Sequence, residues 1–119
     1  MMYIEKAAND HNGPAWIGYV EFSRTGQSAY FNGQAFSGGR GNCRNIETGD
    51  YYWITGVKKR GSNRRVFGHG KVLVSRDSLA EFLALKGWEI LDETDYDLFD
   101  ALPTDIAKFT EMQNAKHGG

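Results

Sequence analysis

The stretch Trp16-Ile17-Gly18-Tyr19-Val20-Glu21-Phe22-Ser23-Arg24-Thr25-Gly26-Gln27-Ser28-Ala29-Tyr30-Phe31-Asn32-Gly33 decides the fold class. Trp16, Gly18, Val20 and Phe22 alternate with Ile17, Tyr19, Glu21 and Ser23, the period of two that sends successive side chains to opposite faces of a strand. Arg24-Thr25-Gly26-Gln27 is a short polar link whose Gly supplies the positive φ of a hairpin turn. Ser28 to Asn32 alternates again, Ala29 and Phe31 against Tyr30, and Asn32-Gly33 offers a second tight turn or a bulge. The pattern is an antiparallel hairpin.

Downstream the pattern recurs. Tyr51, Trp53, Thr55 and Val57 alternate with Tyr52, Ile54 and Gly56, so Tyr51 to Lys58 is expected as a strand. Arg60-Gly61-Ser62-Asn63 is expected as a second hairpin turn, Arg64 to Phe67 as its return, Gly68-His69-Gly70 as a break, and Lys71 to Val74 as a buried strand. Between the hairpins, Ser37 to Asn45 carries Gly38, Gly39 and Gly41 with little to bury, which predicts a mobile loop. After Val74 the period changes. Ser78 and Glu81 have the spacing of a capping box, Leu79, Phe82 and Leu83 share a helical face, and Gly87 stands where a left-handed cap belongs, so Ser78 to Lys86 is expected to be helical. A short helix is expected within Asp95 to Leu102, and Ile106, Phe109 and Met112 mark a weak helical stripe within Asp105 to Asn114.

Strands first and helices last predict an α+β fold: a small, mainly antiparallel sheet or half-barrel of about four to six strands followed by C-terminal helices. One domain over 1–119 is expected, with a β-rich part at 14–74 and a helical, acidic part at 75–115. Trp16, Phe22, Phe31, Trp53 and Val72 are expected on the inward face of one curved sheet, with Leu79, Phe82 and Leu83 packed against it.

Hydrophobic residues at 40% and aromatics at 13% of 119 residues exclude a disordered chain. Fourteen Lys and Arg against 15 Asp and Glu exclude a uniformly basic nucleic-acid coat protein or a uniformly acidic mimic. Cys43 is the only cysteine, so no intrachain disulfide forms, which suits a reducing cytoplasm. The start, Met1-Met2-Tyr3-Ile4-Glu5-Lys6, has no basic segment followed by an apolar run, so no signal peptide is expected. No apolar run approaches the ~18 residues of a membrane span. A cytoplasmic location without membrane contact is the expectation.

The near-neutral total hides a segregation of charge. Between Lys58 and Arg76 lie seven bases (Lys58, Lys59, Arg60, Arg64, Arg65, Lys71 and Arg76) and no acid. Between Glu89 and Asp105 lie seven acids (Glu89, Asp92, Glu93, Asp95, Asp97, Asp100 and Asp105) and no base. Such blocks create local potentials. The seven bases form a candidate binding hairpin over 58–76, for a protein partner or for a phosphate backbone, with Tyr30, Tyr51, Tyr52 and Trp53 as candidate aromatic contacts that stack on bases. The alternative is a solvated edge whose charges prevent aggregation. The two blocks are expected on separate faces, and changing Arg60, Arg64 and Arg65 together to Ser is then expected to leave stability nearly unchanged.

Catalytic chemistry has few candidates. His11 follows Asp10, the pairing that orients an imidazole as a base, and His69 sits accessibly between two glycines; both are candidate loop contacts, and a small hydrolase around either is the third reading. Adjacent residues rarely aim at each other, and no nucleophile is placed near either. The positions of His11, His69 and Cys43 lack metal-ligand spacing, and Asp92-Glu93-Asp95-Asp97 lacks the Gly and Glu of a calcium loop, so neither metal nor cofactor is expected. Cys43 is expected to be an exposed thiol flanked by Arg40 and Arg44.

Asp10-His11-Asn12-Gly13-Pro14-Ala15-Trp16-Ile17-Gly18, Val20-Glu21-Phe22-Ser23-Arg24-Thr25-Gly26, Tyr30-Phe31-Asn32-Gly33 and Tyr52-Trp53-Ile54-Thr55-Gly56-Val57-Lys58-Lys59 together carry a resemblance. Over roughly Met2 to Val74 the chain resembles a group of small uncharacterised bacterial proteins. Members of that group sometimes carry the name deoxyxylulose-phosphate synthase, a thiamine-diphosphate enzyme, but no diphosphate-and-magnesium motif stands in this sequence. The resemblance implies a shared β-rich scaffold. The first functional expectation is a non-enzymatic binding module acting through an unidentified protein partner, of inhibitor or immunity type. The second is a nucleic-acid-binding module using the basic hairpin.

Overall fold

A computed structural model describes residues 1–8, 13–64 and 70–117. Its strands are β1 (Met2–Lys6), β2 (Ala15–Gly18), β3 (Glu21–Phe22), β4 (Ser28–Phe31), β5 (Gln34–Ser37), β6 (Gly41–Asn45), β7 (Tyr51–Gly56), β8 (Val72–Ser75) and β9 (Tyr96–Phe99). Two helices, α1 (Leu79–Lys86) and α2 (Ile106–His117), complete the set, α1 being entered through a tight turn at Arg76–Ser78.

The first hairpin forms where the alternation predicts it. Glu21 pairs with Tyr30 and Phe22 with Ala29 across the Arg24-Thr25-Gly26-Gln27 turn, where Gly26 has φ 76°. Asn32 at φ 51° and Gly33 at φ 76° close the β4–β5 hairpin, with Phe31 opposite Gln34. That Asn-Gly pair in left-handed conformation matches the right-handed twist of its strands, so it is the tight turn rather than a bulge.

The sheet has nine strands in the order β3-β4-β5-β6-β7-β1-β2-β8-β9. Neighbours are antiparallel except at β2–β8 and β8–β9, which are parallel. β2 and β3 are separated only by Tyr19 and Val20, yet β3 lies at one end of the sheet and β2 near the other. A chain that crosses so far in two residues requires the sheet to curl upon itself, giving a half-barrel. The architecture is α+β, with more strands and less helix than the sequence pattern suggests.

Curling gives the central strands two buried faces. Inside the curl, Ile4, Phe31, Phe36, Tyr52 and Ile54 form one core, with Trp16 and Phe22 half-buried against it. On the other face Tyr3, Ala15, Ile17, Val72 and Val74 pack under Phe82 of α1. Val72 therefore lies across the sheet from Phe31 rather than beside it, and Trp53 is half-buried. Gly18 has no Cβ because the Phe31 ring occupies that space, 2.6 Å from where one would stand.

Three segments depart from expectation. Ser37 to Asn45 is ordered chain, with β6 pairing antiparallel to β7 from Gly41↔Ile54 to Arg44↔Tyr51, so its glycines serve sheet geometry rather than a loop. Tyr96–Phe99 is a strand, not a helix, because β8 offers it a parallel partner in register from Val72↔Tyr96 to Ser75↔Phe99. The capping box does not form: the Ser78 hydroxyl is 2.6 Å from that of Ser75 and bonds the Ser75 carbonyl at 3.1 Å. The helix itself runs as expected and ends at Gly87, φ 73°, whose N–H and that of Trp88 bond back to Ala84 and Leu83. α2 buries Phe109 against Tyr30 and Ala35.

Phe82 is fully buried and packs edge-on to Trp88 and Tyr96 at 5.9 and 5.4 Å. Phe82→Ala is expected to cost about 3–5 kcal/mol, measured by urea unfolding; a near-native midpoint would make α1 peripheral.

Candidate functional site

The structure disperses the seven bases. Lys58, Lys59 and Arg60 are exposed in the turn that follows β7. The Asn63 side chain accepts the Lys58 N–H at 2.6 Å and Ser62 Oγ accepts the Arg64 N–H at 3.2 Å, which shape that turn. Arg65 and His69 lie outside the described residues, as do Asp10 and His11.

Arg64 is a correction. It is buried, not presented to solvent. Its guanidinium donates to the carbonyls of Gly13 (2.9 Å), Gly70 (2.6 Å) and Lys71 (2.9 Å), and stands 3.9 Å from the buried Glu5 carboxylate. Glu5 also accepts the hydroxyl of buried Tyr3, whose pKa is driven far up by burial and then by that bond. A guanidinium has five donors in a planar fork, which is why Arg rather than Lys serves three diverging carbonyls.

The expected separation of charge is also overturned for two bases. β8 and β9 are parallel neighbours, which brings Lys71, just before β8, 3.5 Å from Asp97 within β9, and Arg76, just after β8, 3.1 Å from Asp100, just after β9. The acidic run thus faces two of the seven bases, Lys71 and Arg76.

The aromatic contacts do not converge. Tyr30 is buried beneath α2. Tyr52 is buried among Phe36 and Trp16, and burial raises its pKa. Trp53 is half-buried. Tyr51 is exposed, with the Arg44 guanidinium 4.9 Å from its ring, at the far end of β7 from the basic turn. No continuous stacking platform results.

Cys43 is a second correction: it sits on β6, 3% exposed, with its thiol against the Tyr52 carbonyl at 3.6 Å. Burial pushes its pKa up to about 11, the opposite of an activated thiolate. Among the described residues no cluster of His, Cys, Asp and Glu could hold a metal ion, and no helix is long and apolar enough to cross a membrane.

Sequence reasoning passed over the surface that the structure builds around Trp88. Two open depressions share Trp88 and Tyr96. The larger, about 1320 Å³, lies between 87–94 and β9; Glu89, Asp92, Glu93 and Asp97 rim a surface of Trp88, Ile90, Leu91 and Leu98. Ile90 is 80% exposed and Trp88 40%. Glu89, Asp92 and Glu93 make no ion pair among the described residues, and the single base, Arg76, is paired with Asp100. The smaller, about 600 Å³, is lined by Lys59, Arg60, Ser62 and Lys86. Lys86 Nζ donates to the Gly61 carbonyl at 3.0 Å and lies 5.6 Å from the Trp88 ring centre, tying α1 to the basic turn. Burial, then the Lys58 charge, lowers its pKa. The legible signal was Trp88-Glu89-Ile90-Leu91-Asp92-Glu93, large apolar residues interleaved with acids immediately after a helix cap.

Comparison with protein-family models, with curated proteins and with solved structures gave no match.

Two outcomes follow from the buried groups. Arg64→Met is expected to cost about 3–5 kcal/mol, because it strands Glu5 and three carbonyls, while Arg60→Ser should stay within about 0.5 kcal/mol; equal, small effects in urea unfolding would refute the internal role of Arg64. Cys43 binds its proton more tightly folded than unfolded, so its contribution is complete below its ordinary pKa of 9.0 and is lost as pH rises toward about 11. Stability should fall over that window, less steeply in Cys43→Ala, as read by melting temperature against pH.

Proposed function

We propose that this chain is a non-enzymatic binding module that docks a basic segment of a protein partner in the acid-rimmed groove beside β9. The observation that carries this reading is the exposure of Ile90 and Trp88 beside Glu89, Asp92 and Glu93, which make no ion pair among the described residues, with Asp97, paired to Lys71, completing the rim. Contiguous apolar surface is costly to leave in water, and on a soluble domain it marks interaction sites. Aromatic anchors supply most of the energy of such interfaces, and surrounding charges select the partner and speed encounter. Here the rim repels phosphate and favours Lys and Arg. An inhibitor or immunity role against a basic protein in a bacterial cytoplasm suits this chemistry.

The rival reading, a nucleic-acid-binding module on the basic hairpin, loses support from the same arrangement. Of its seven bases, Arg64 is internal, and Lys71 and Arg76 face acids. Among the described residues that leaves Lys58, Lys59 and Arg60, a small footprint for a phosphate backbone.

The test is affinity capture with the native chain and with Asp92→Asn, Glu93→Gln and Asp97→Asn combined, before and after nuclease treatment. A basic protein retained by the native chain, resistant to nuclease and lost with the triple variant, is the expected outcome, with association slowing as salt is raised. Retention of nucleic acid, or a basic protein held equally by both chains, would sink the reading.

A further inference from the structure

We infer that the outer edge of β9 is a strand-addition site, and that the partner segment enters the groove as a further strand with alternating basic and apolar side chains. The inference rests on the proposed protein-binding role of the groove and specifies how that groove is filled.

β9 ends the sheet: β8 lies on one side of it, and no strand among the described residues lies on the other. The hydrogen bonds show which backbone groups are left. The Val72 N–H bonds the Asp95 carbonyl at 3.0 Å, so Asp95 faces β8, whereas the Tyr96 N–H turns away and bonds the Asp92 carbonyl at 3.0 Å. Alternate residues of a strand aim their backbone groups to opposite sides, so the Tyr96 carbonyl and the N–H and carbonyl of Leu98 point outward. An open row of this kind is a template for another chain.

Edges of this sort are commonly blunted by Lys, by Pro or by a covering element. β9, Tyr96-Asp97-Leu98-Phe99, has neither residue. What borders it is the groove, with Trp88, Ile90 and Leu91 opposite. Tyr96 and Leu98 pack on the α1 face of the sheet, while Asp97 belongs to the other face. A strand laid against this edge therefore meets apolar surface with one set of its side chains and, with the other, Asp97, whose carboxylate stays exposed although Lys71 lies 3.5 Å away; Glu89, Asp92 and Glu93 add negative charge along the groove. Its complement is an extended segment in which Lys or Arg alternates with Val, Ile or Leu. A second copy of β9 is disfavoured, since it would set Asp97 and its neighbours against like charge.

The probe is an acetylated peptide of alternating lysine and valine, with two comparison peptides: the same sequence methylated on every backbone nitrogen, and one alternating glutamate and valine. Binding to the intact chain is measured by calorimetry, and exchange of the Leu98 amide hydrogen by NMR. The lysine–valine peptide should bind and slow Leu98 exchange roughly tenfold or more, and the methylated and glutamate peptides should bind roughly tenfold more weakly or not at all. Equal binding of the methylated peptide, or an unchanged Leu98 amide, overturns strand addition while leaving the groove as a site for basic segments. Binding of none of the three overturns both readings, and equal binding of the glutamate peptide overturns the charge argument. A free protein that dimerises with Leu98 already protected assigns the edge to a second copy and overturns the inference.

Discussion

A single buried cation organises this molecule. The Arg64 guanidinium is held by Glu5 of β1 and by carbonyls from Gly13, Gly70 and Lys71, groups drawn from three separate stretches of the chain. A charge removed from water is tolerable only when paired and fully hydrogen-bonded. Satisfying that requirement draws the chain before β2, the turn after β7 and the approach to β8 to one point. The position of β8 then sets that of β9, and β9 sets the groove. Tyr3 extends the cluster by donating its hydroxyl to Glu5, so the polar centre lies within the same face that packs Phe82.

The placement of charge follows from that pinning. Burial takes Arg64 out of the basic block, and the parallel β8–β9 pairing commits Lys71 to Asp97 of β9 and Arg76 to Asp100 just beyond it. Among the described residues, what remains at the surface is a small basic turn at Lys58, Lys59 and Arg60, and beside it a larger acid-rimmed apolar groove. Trp88 joins the two. It packs edge-on to Phe82 and Tyr96 at 5.9 and 5.8 Å, while Lys86 reaches past it to the Gly61 carbonyl. A partner that binds the groove therefore touches a residue fixed by the core rather than a loose loop, which lowers the ordering cost of association.

Local pattern determined a good part of the fold. The alternation from Trp16 to Phe31 and the Asn32-Gly33 turn specify hairpins because they depend on side-chain parity and on backbone conformations that only certain residues adopt cheaply. Helix α1 and its Gly87 cap are legible for the same reason, as is the burial of Phe82. Tertiary structure alone decided the rest. Ser37 to Asn45 and Tyr96 to Phe99 have weak strand patterns and become strands only because β7 and β8 lie beside them. Cys43 and Arg64 look exposed in a linear reading, and their burial depends on which strands close over them. The groove is built from groups that acquire meaning only when β9 is the last strand of its sheet. Sequence carries short-range preferences directly, but the pairing of distant strands and the fate of a charge depend on every other segment at once.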